Sequence, residues 1–207
     1  MRKFVLIFLI IPSILIAQND VNEVVVIKSD KQMEEFTSSL GQNELKIDFL
    51  DLLMFPALTV GYEKTNNSSS GFGATLFLNL GSSDEDIGSY YDNKFVITPY
   101  YRFYFTKSED FGSKGFFAEV FSKFAFGESQ NFLLNGLGIN TYETDNYFDI
   151  APGLAVGNKW INRKGFTFEI LFGLGRNLLY DEEDNNGHNG GRGTIVTRGG
   201  FSIGKRF

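Results

Sequence analysis

FFAEVFSKFAFG, residues 116–127, alternates two kinds of side chain with a period of two. In a β-strand successive side chains point to opposite faces of the sheet, so odd and even positions meet different surroundings. Phe116, Ala118, Val120, Ser122, Phe124 and Phe126 make a row that is mostly bulky and apolar. Phe117, Glu119, Phe121, Lys123, Ala125 and Gly127 make the other, with an acid, a base and small residues. Apolar bulk on one face and a narrow polar space behind the other is the pattern of a strand in a lipid-facing barrel.

Seven further segments repeat it. Leu45, Ile47 and Phe49 oppose Lys46 and Asp48, and the alternation breaks at Met54-Phe55-Pro56, where proline cannot donate to a ladder. Leu58, Val60 and Tyr62 oppose Thr59, Gly61 and Glu63. TNNSSS at 65–70 has turn composition, and Phe72, Ala74, Leu76, Leu78 and Leu80 then oppose Gly73, Thr75 and Asn79. After an acidic loop at 82–92, residues 93–106 set Phe95, Ile97, Tyr101, Phe103 and Phe105 against Thr98, Tyr100, Arg102 and Tyr104. Residues 128–147 read as a long connection. Beyond it, residues 149–161 place Leu154, Val156 and Trp160 opposite Ala151, Gly153, Ala155 and Gly157. NRKG at 162–165 is a tight hairpin, followed at 166–179 by Phe166, Phe168, Ile170, Phe172 and Leu174 against Thr167, Glu169, Gly173 and Gly175. A long acidic, glycine-rich loop at 180–193 leads to residues 194–207, where Phe201, Ile203 and Phe207 oppose Arg198, Gly200, Ser202, Gly204 and Arg206.

Composition agrees. Phe and Gly number 23 each among 207 residues, which favours strands and tight turns over helices in a single domain. The absence of cysteine removes disulfides and thiolate metal sites, and a net charge of −6 argues against a nucleic-acid partner. Residues 1–17 begin with Arg2 and Lys3, continue in a short apolar run and end at Ala17, the layout of a cleaved secretory signal peptide. The run is shorter than the ~20 residues a spanning helix needs. Residues 18–43 are expected to be a leader with little fixed structure, and residues 44–207 to be the barrel.

The expected fold is therefore all-β: an eight-stranded antiparallel up-and-down transmembrane β-barrel. A soluble lipid-binding barrel shows the same alternation with the faces reversed. Volume separates the two, because an eight-stranded barrel has an interior only just wide enough to be filled by side chains. Several Phe or Leu per strand overfill that space, whereas rows of Gly, Ala, Ser and Thr suit it. Connection lengths agree, with short turns after strands two, four and six and longer loops after three, five and seven, although the first loop is short.

Charges on the inward rows must be paired to be tolerated. Lys46, Asp48, Glu63, Arg102, Glu119, Lys123, Glu169 and Arg198 balance at four acids and four bases, with Lys159 and Arg206 nearer the rim. Hairpin register places Arg102 opposite Glu119 and Lys46 near Glu63. These groups are expected to form a hydrogen-bonded network plugging the half of the lumen nearest the chain ends.

Signal peptide, eight alternating strands, aromatic-rich ends and a terminal phenylalanine together resemble the small outer-membrane β-barrels of the OmpA-transmembrane-domain and OmpX kind, over residues 44–207. The resemblance implies a Gram-negative outer membrane, with its lipids and lipopolysaccharide as surroundings. It also implies recognition of the last strand by the barrel-assembly machinery through Phe201, Ile203 and Phe207, although Lys205 stands where an apolar residue is commoner. Candidate interface aromatics are Tyr90, Tyr91, Tyr100, Tyr104, Tyr147 and Trp160, of which Tyr100 and Tyr104 fall on the inward row.

Some barrels of this size modify lipid A with His and Ser residues. The only histidine here, His188, lies in NNGHNGG, held by no strand and poorly placed as a general base. Asp181, Glu182, Glu183 and Asp184 lack the spacing of a calcium loop, and Gly136-Leu137-Gly138 lacks the surroundings of a nucleotide fingerprint. No catalytic, cofactor or metal residue is assigned. The expected function is non-enzymatic: a barrel with a largely plugged lumen and a structural or surface-interaction role. The alternative is a narrow passive pore, with a lipid A-modifying enzyme or a soluble lipid-binding barrel less favoured.

Overall fold

The computed structural model describes residues 40–54, 57–67, 69–81, 93–105, 113–134, 140–162, 164–180 and 193–207. The chain divides into units Met1–Gln32 and Met33–Phe207, and all described residues belong to the second. The expected signal peptide, residues 18–39 of the leader, the loop at 82–92 and His188 with its acidic neighbours lie outside the described residues.

The strands are β1 Asn43–Asp48, β2 Ala57–Asn67, β3 Ser70–Asn79, β4 Asn93–Tyr104, β5 Gly115–Leu134, β6 Asn140–Ile161, β7 Phe166–Arg176 and β8 Ile195–Arg206, with one helix, α1, at Phe49–Met54. Each strand pairs antiparallel with its sequence neighbours, and β8 pairs back onto β1 to close the barrel. Asn43 and Phe207 exchange both backbone hydrogen bonds at the seam, at 3.1 and 2.8 Å. The end carrying Asn43 and Phe207 is called proximal below, and the end carrying α1 distal.

Burial follows the period-two pattern. On β5, Phe117, Glu119 and Phe121 are 0–3% exposed, while Phe116 and Val120 between them are 50% exposed. On β4, Val96, Thr98, Tyr100, Arg102 and Tyr104 are buried, and Ile97, Tyr101 and Phe103 are exposed. The apolar rows thus face out and the mixed polar rows face in. Phe117 and Phe121 also point inward, and glycine makes their room. Phe117 and Phe121 lie in register with Gly157 and Gly153 of β6, and a Cβ at Gly157 would stand 2.5 Å from Phe117 Cζ.

Two segments differ from the sequence reading. Phe49 belongs to α1, not to a strand: Asp48 Oδ1 accepts the Leu50 N–H at 2.8 Å, an N-cap that starts a helix, and Asp51 lies in its first turn. Residues 128–147 are no long connection. β5 and β6 stay paired from Glu128↔Asn146 to Leu134↔Asn140, so only residues 135–139 join them. Thr141, Tyr142 and Thr144 suit a strand, and pairing satisfies backbone groups that a loop would leave to water. The β4 ladder ends at Asn93↔Gly127 and the β7 ladder at Gly153↔Gly175, so the hairpin continues distally as a two-stranded ribbon.

The seam is short. β1 pairs with β8 only from Glu44↔Arg206 to Asp48↔Ser202, whereas β8 runs on to Ile195. Beyond Asp48, α1 lies against β8 and β2 where a longer β1 would have continued.

Valine at Gly157 overpacks a wall already filled by Phe117, so Gly157→Val is expected to destabilise the barrel by about 1–3 kcal/mol. Leu154→Val, on the outward row of the same strand, is expected to stay within about 1.5 kcal/mol of wild type. Urea unfolding followed by tryptophan fluorescence checks both.

Candidate functional site: the buried charge network

The inward rows of seven strands deliver nine charged side chains to the proximal half of the lumen: Glu44 and Lys46 from β1, Glu63 from β2, Arg102 from β4, Glu119 from β5, Lys159 from β6, Glu169 from β7, and Arg198 and Arg206 from β8. All are buried, and Glu44, Glu63 and Arg102 are 0% exposed.

Glu63 and Arg102 are the hubs. Glu63 accepts from Lys46 at 3.0 Å, Arg102 at 2.7 Å and Lys159 at 2.8 Å. Tyr104 donates its hydroxyl to the other Glu63 oxygen. Arg102 donates from Nε to Glu119 at 2.7 Å, and from Nη1 and Nη2 to Glu169 at 2.6 and 2.8 Å. Its guanidinium also lies between the rings of Tyr100 and Phe117, 4.4 and 4.3 Å from their centroids. Arg198 extends the network distally through Glu119, at 2.6 Å. Proximally, Lys159 and Thr167 donate to Glu44 at 3.2 and 3.0 Å. In an eight-strand ring β4 and β7 are three strands apart, so the Arg102–Glu169 bonds cross the lumen. The bore is crossed there by charge-assisted hydrogen bonds, among the strongest a protein makes.

Glu44, Glu63 and Glu169 converge closely enough to ligate a metal ion. The Lys159 ammonium occupies that position, 3.2, 2.8 and 3.7 Å from the three carboxylates. The carboxylates are therefore already neutralised, with cations supplied by the chain.

Of the eight residues expected in the network, Lys46, Glu63, Arg102, Glu119, Glu169 and Arg198 are brought together. Asp48 and Lys123 are not, and both correct the sequence reading. Asp48 is used to cap α1 and also accepts the Phe201 N–H at 3.3 Å. Lys123 lies four residues beyond Glu119, about 13 Å along the strand, and its ammonium donates instead to the Thr197 carbonyl at 3.0 Å. Glu44, Lys159, Arg206 and Tyr104 take their place. Parity was the available signal, since Glu44 shares its row with Lys46, and Lys159 with Gly157.

Tyr100 and Tyr104 are inward and buried, which removes them as interface aromatics, whereas Trp160 is outward and packs 5.4 Å from Phe168. Tyr147 donates to Asn93 at 2.9 Å, and Tyr90 and Tyr91 lie outside the described residues. In β8, Ile203 and Phe207 are exposed outward, and Phe201 meets Phe168 edge-on at 4.5 Å.

Distal to the network the lumen widens into a chamber of about 100 Å³. Its lining includes Asp48, Asp51, Thr59, Thr75, Lys123 and Arg198, with Lys46, Arg102 and Glu169 at its floor. Comparison with protein-family models, curated proteins and solved structures finds no match for this chain.

Removing a hub leaves several buried cations uncompensated. Glu63→Gln is expected to cost about 3–5 kcal/mol of stability, read from the urea midpoint. Glu119→Leu is expected to lower the melting temperature as well, because it strands Arg198 and one face of Arg102.

Proposed function

We propose that this chain is an outer-membrane β-barrel that does not conduct, and that it serves as a structural or surface-interaction protein displaying its distal ribbon outside the cell. The observation that carries the reading is the crossing of the lumen by Arg102, bonded to both Glu63 and Glu169, since bonds across the bore oppose a continuous column of water. The outward face supports placement in lipid. Leu154, Phe172, Phe116, Val156, Trp160 and Phe103 are 47–68% exposed, an apolar belt larger than soluble monomers tolerate. On β7 the outward apolar row runs from Phe166 to Leu174, about 27 Å of strand at ~3.4 Å per residue. At the usual tilt that is roughly 20 Å of barrel height, close to the ~25 Å lipid-facing band of outer-membrane barrels.

The architecture resembles the OmpA-transmembrane-domain and OmpX kind, with the proximal end on the periplasmic side. Phe207, Ile203 and Phe201 would then present the closing strand to the barrel-assembly machinery. The β5–β6 ribbon projects on the opposite side, and its two edges carry backbone donors and acceptors suited to strand addition by another protein. A narrow passive pore has no comparable support, since the charges that would line it are bonded to one another.

Reconstitution into planar bilayers tests the reading. Wild-type protein is expected to insert without discrete conductance steps. Regular single-channel steps would overturn the sealed lumen, and a folded monomer in plain buffer would overturn the membrane placement.

A further inference from the structure

The distal chamber holds opposite charges that do not meet. Asp48 and Asp51 stand on its β1–α1 side, and Lys123 and Arg198 enter it from β5 and β8. Among the described residues neither aspartate has a cationic partner. Asp48 accepts two backbone N–H groups, and Asp51 accepts the Thr59 hydroxyl at 2.6 Å. Lys123 feels the charge of Asp51 across the chamber but makes no ion pair with it among the described residues, and its hydrogen bond goes to the Thr197 carbonyl.

That carbonyl is itself informative. Residues 201 and 207 of β8 direct their backbone groups toward β1, so residue 197, of the same parity, does too. β1 has ended by then, and the lysine takes the place of a missing ladder donor. Arg198 is 8% exposed and donates from Nε to Glu119 and from Nη1 to Thr75, yet its Nη2 has no partner among the described residues. A buried guanidinium nitrogen without an acceptor is costly. Beside Lys123, it offers a hydrogen-bond donor to an anionic group.

We propose that the chamber is a binding site for a small zwitterion, with one primary ammonium and one carboxylate or phosphate a few bonds apart. The anionic group sits between Lys123 and Arg198, and the ammonium sits between Asp48 and Asp51. A lone anion leaves the aspartates uncompensated and a lone cation leaves the bases so, whereas one zwitterion satisfies both walls. A volume of about 100 Å³ admits such a solute, or one lipid headgroup, but not a peptide. The seam that α1 closes, in place of a β1–β8 ladder, lies beside the aspartates. The site uses the sealed floor but not bilayer insertion, so binding and conductance fail independently.

The full chain, extracted in a non-ionic maltoside to avoid zwitterionic detergent, is titrated calorimetrically with β-alanine and with O-phosphoethanolamine, and separately with ethanolamine and inorganic phosphate. The zwitterions are expected to bind at least about tenfold tighter than either half alone. Lys123→Met and Asp51→Asn are each expected to weaken them at least about tenfold, while heat-modifiable gel mobility shows both variants folded. Dihexanoyl phosphatidylethanolamine binding more tightly than O-phosphoethanolamine assigns the ligand to the membrane, and equal or weaker binding assigns it to dissolved solutes. Absence of binding to folded wild type overturns the proposal. So does phosphate binding as tightly as O-phosphoethanolamine with Asp51→Asn unchanged, which reduces the chamber to an anion site. If one variant fails to fold, the other decides.

Discussion

A charge inside an eight-stranded barrel has no bulk water to solvate it and little room to move, so it must be matched by an opposite charge already present in the wall. That constraint governs the proximal half of this molecule. Seven strands each place at least one charged side chain there, and Arg102 and Glu63 gather them into one connected network. Replacing such a network with apolar groups is often neutral, but losing one member of it is not. Its value here is geometric as much as energetic: bonds from β4 to β7 and from β2 to β6 fix strand against strand across the lumen.

The rest of the interior accommodates this requirement. Long arginines and lysines need floor space, and Phe117 and Phe121 need still more, so the facing positions on β6 and β7 are glycine and alanine. Outside, where nothing need fit a closed space, the same strands carry Phe, Leu, Ile and Trp without restriction. The contrast between a crowded polar interior and an unconstrained apolar exterior supports the proposed placement of the barrel in lipid.

The two ends differ in construction. At the proximal end, β1 and β8 close with paired backbone bonds between Asn43 and Phe207, and the charge network lies just inside. At the distal end β1 stops early, α1 covers the remaining seam, and the charges of the chamber are left apart. The β5–β6 ribbon leaves the barrel at this same end. The bonded charges thus lie at one end and the ribbon at the other, the arrangement on which the proposed display role rests.

Period-two alternation determined the strand count, which residues share a face and most of the network, because a side chain's face depends only on its parity along the strand, and interior volume decided which face turns inward. It even placed Arg102 opposite Glu119, since a hairpin carries its register through a short turn. Tertiary structure decided what parity does not encode. Height in the lumen excluded Lys123 and admitted Lys159, since strands related by several turns are aligned by closure of the whole barrel. An N-cap at Asp48 converted the end of β1 into helix, and cross-strand pairing turned residues 128–147 from expected loop into ribbon. Alternation is a local property of the chain, whereas which charges meet across the lumen depends on all eight strands being in place.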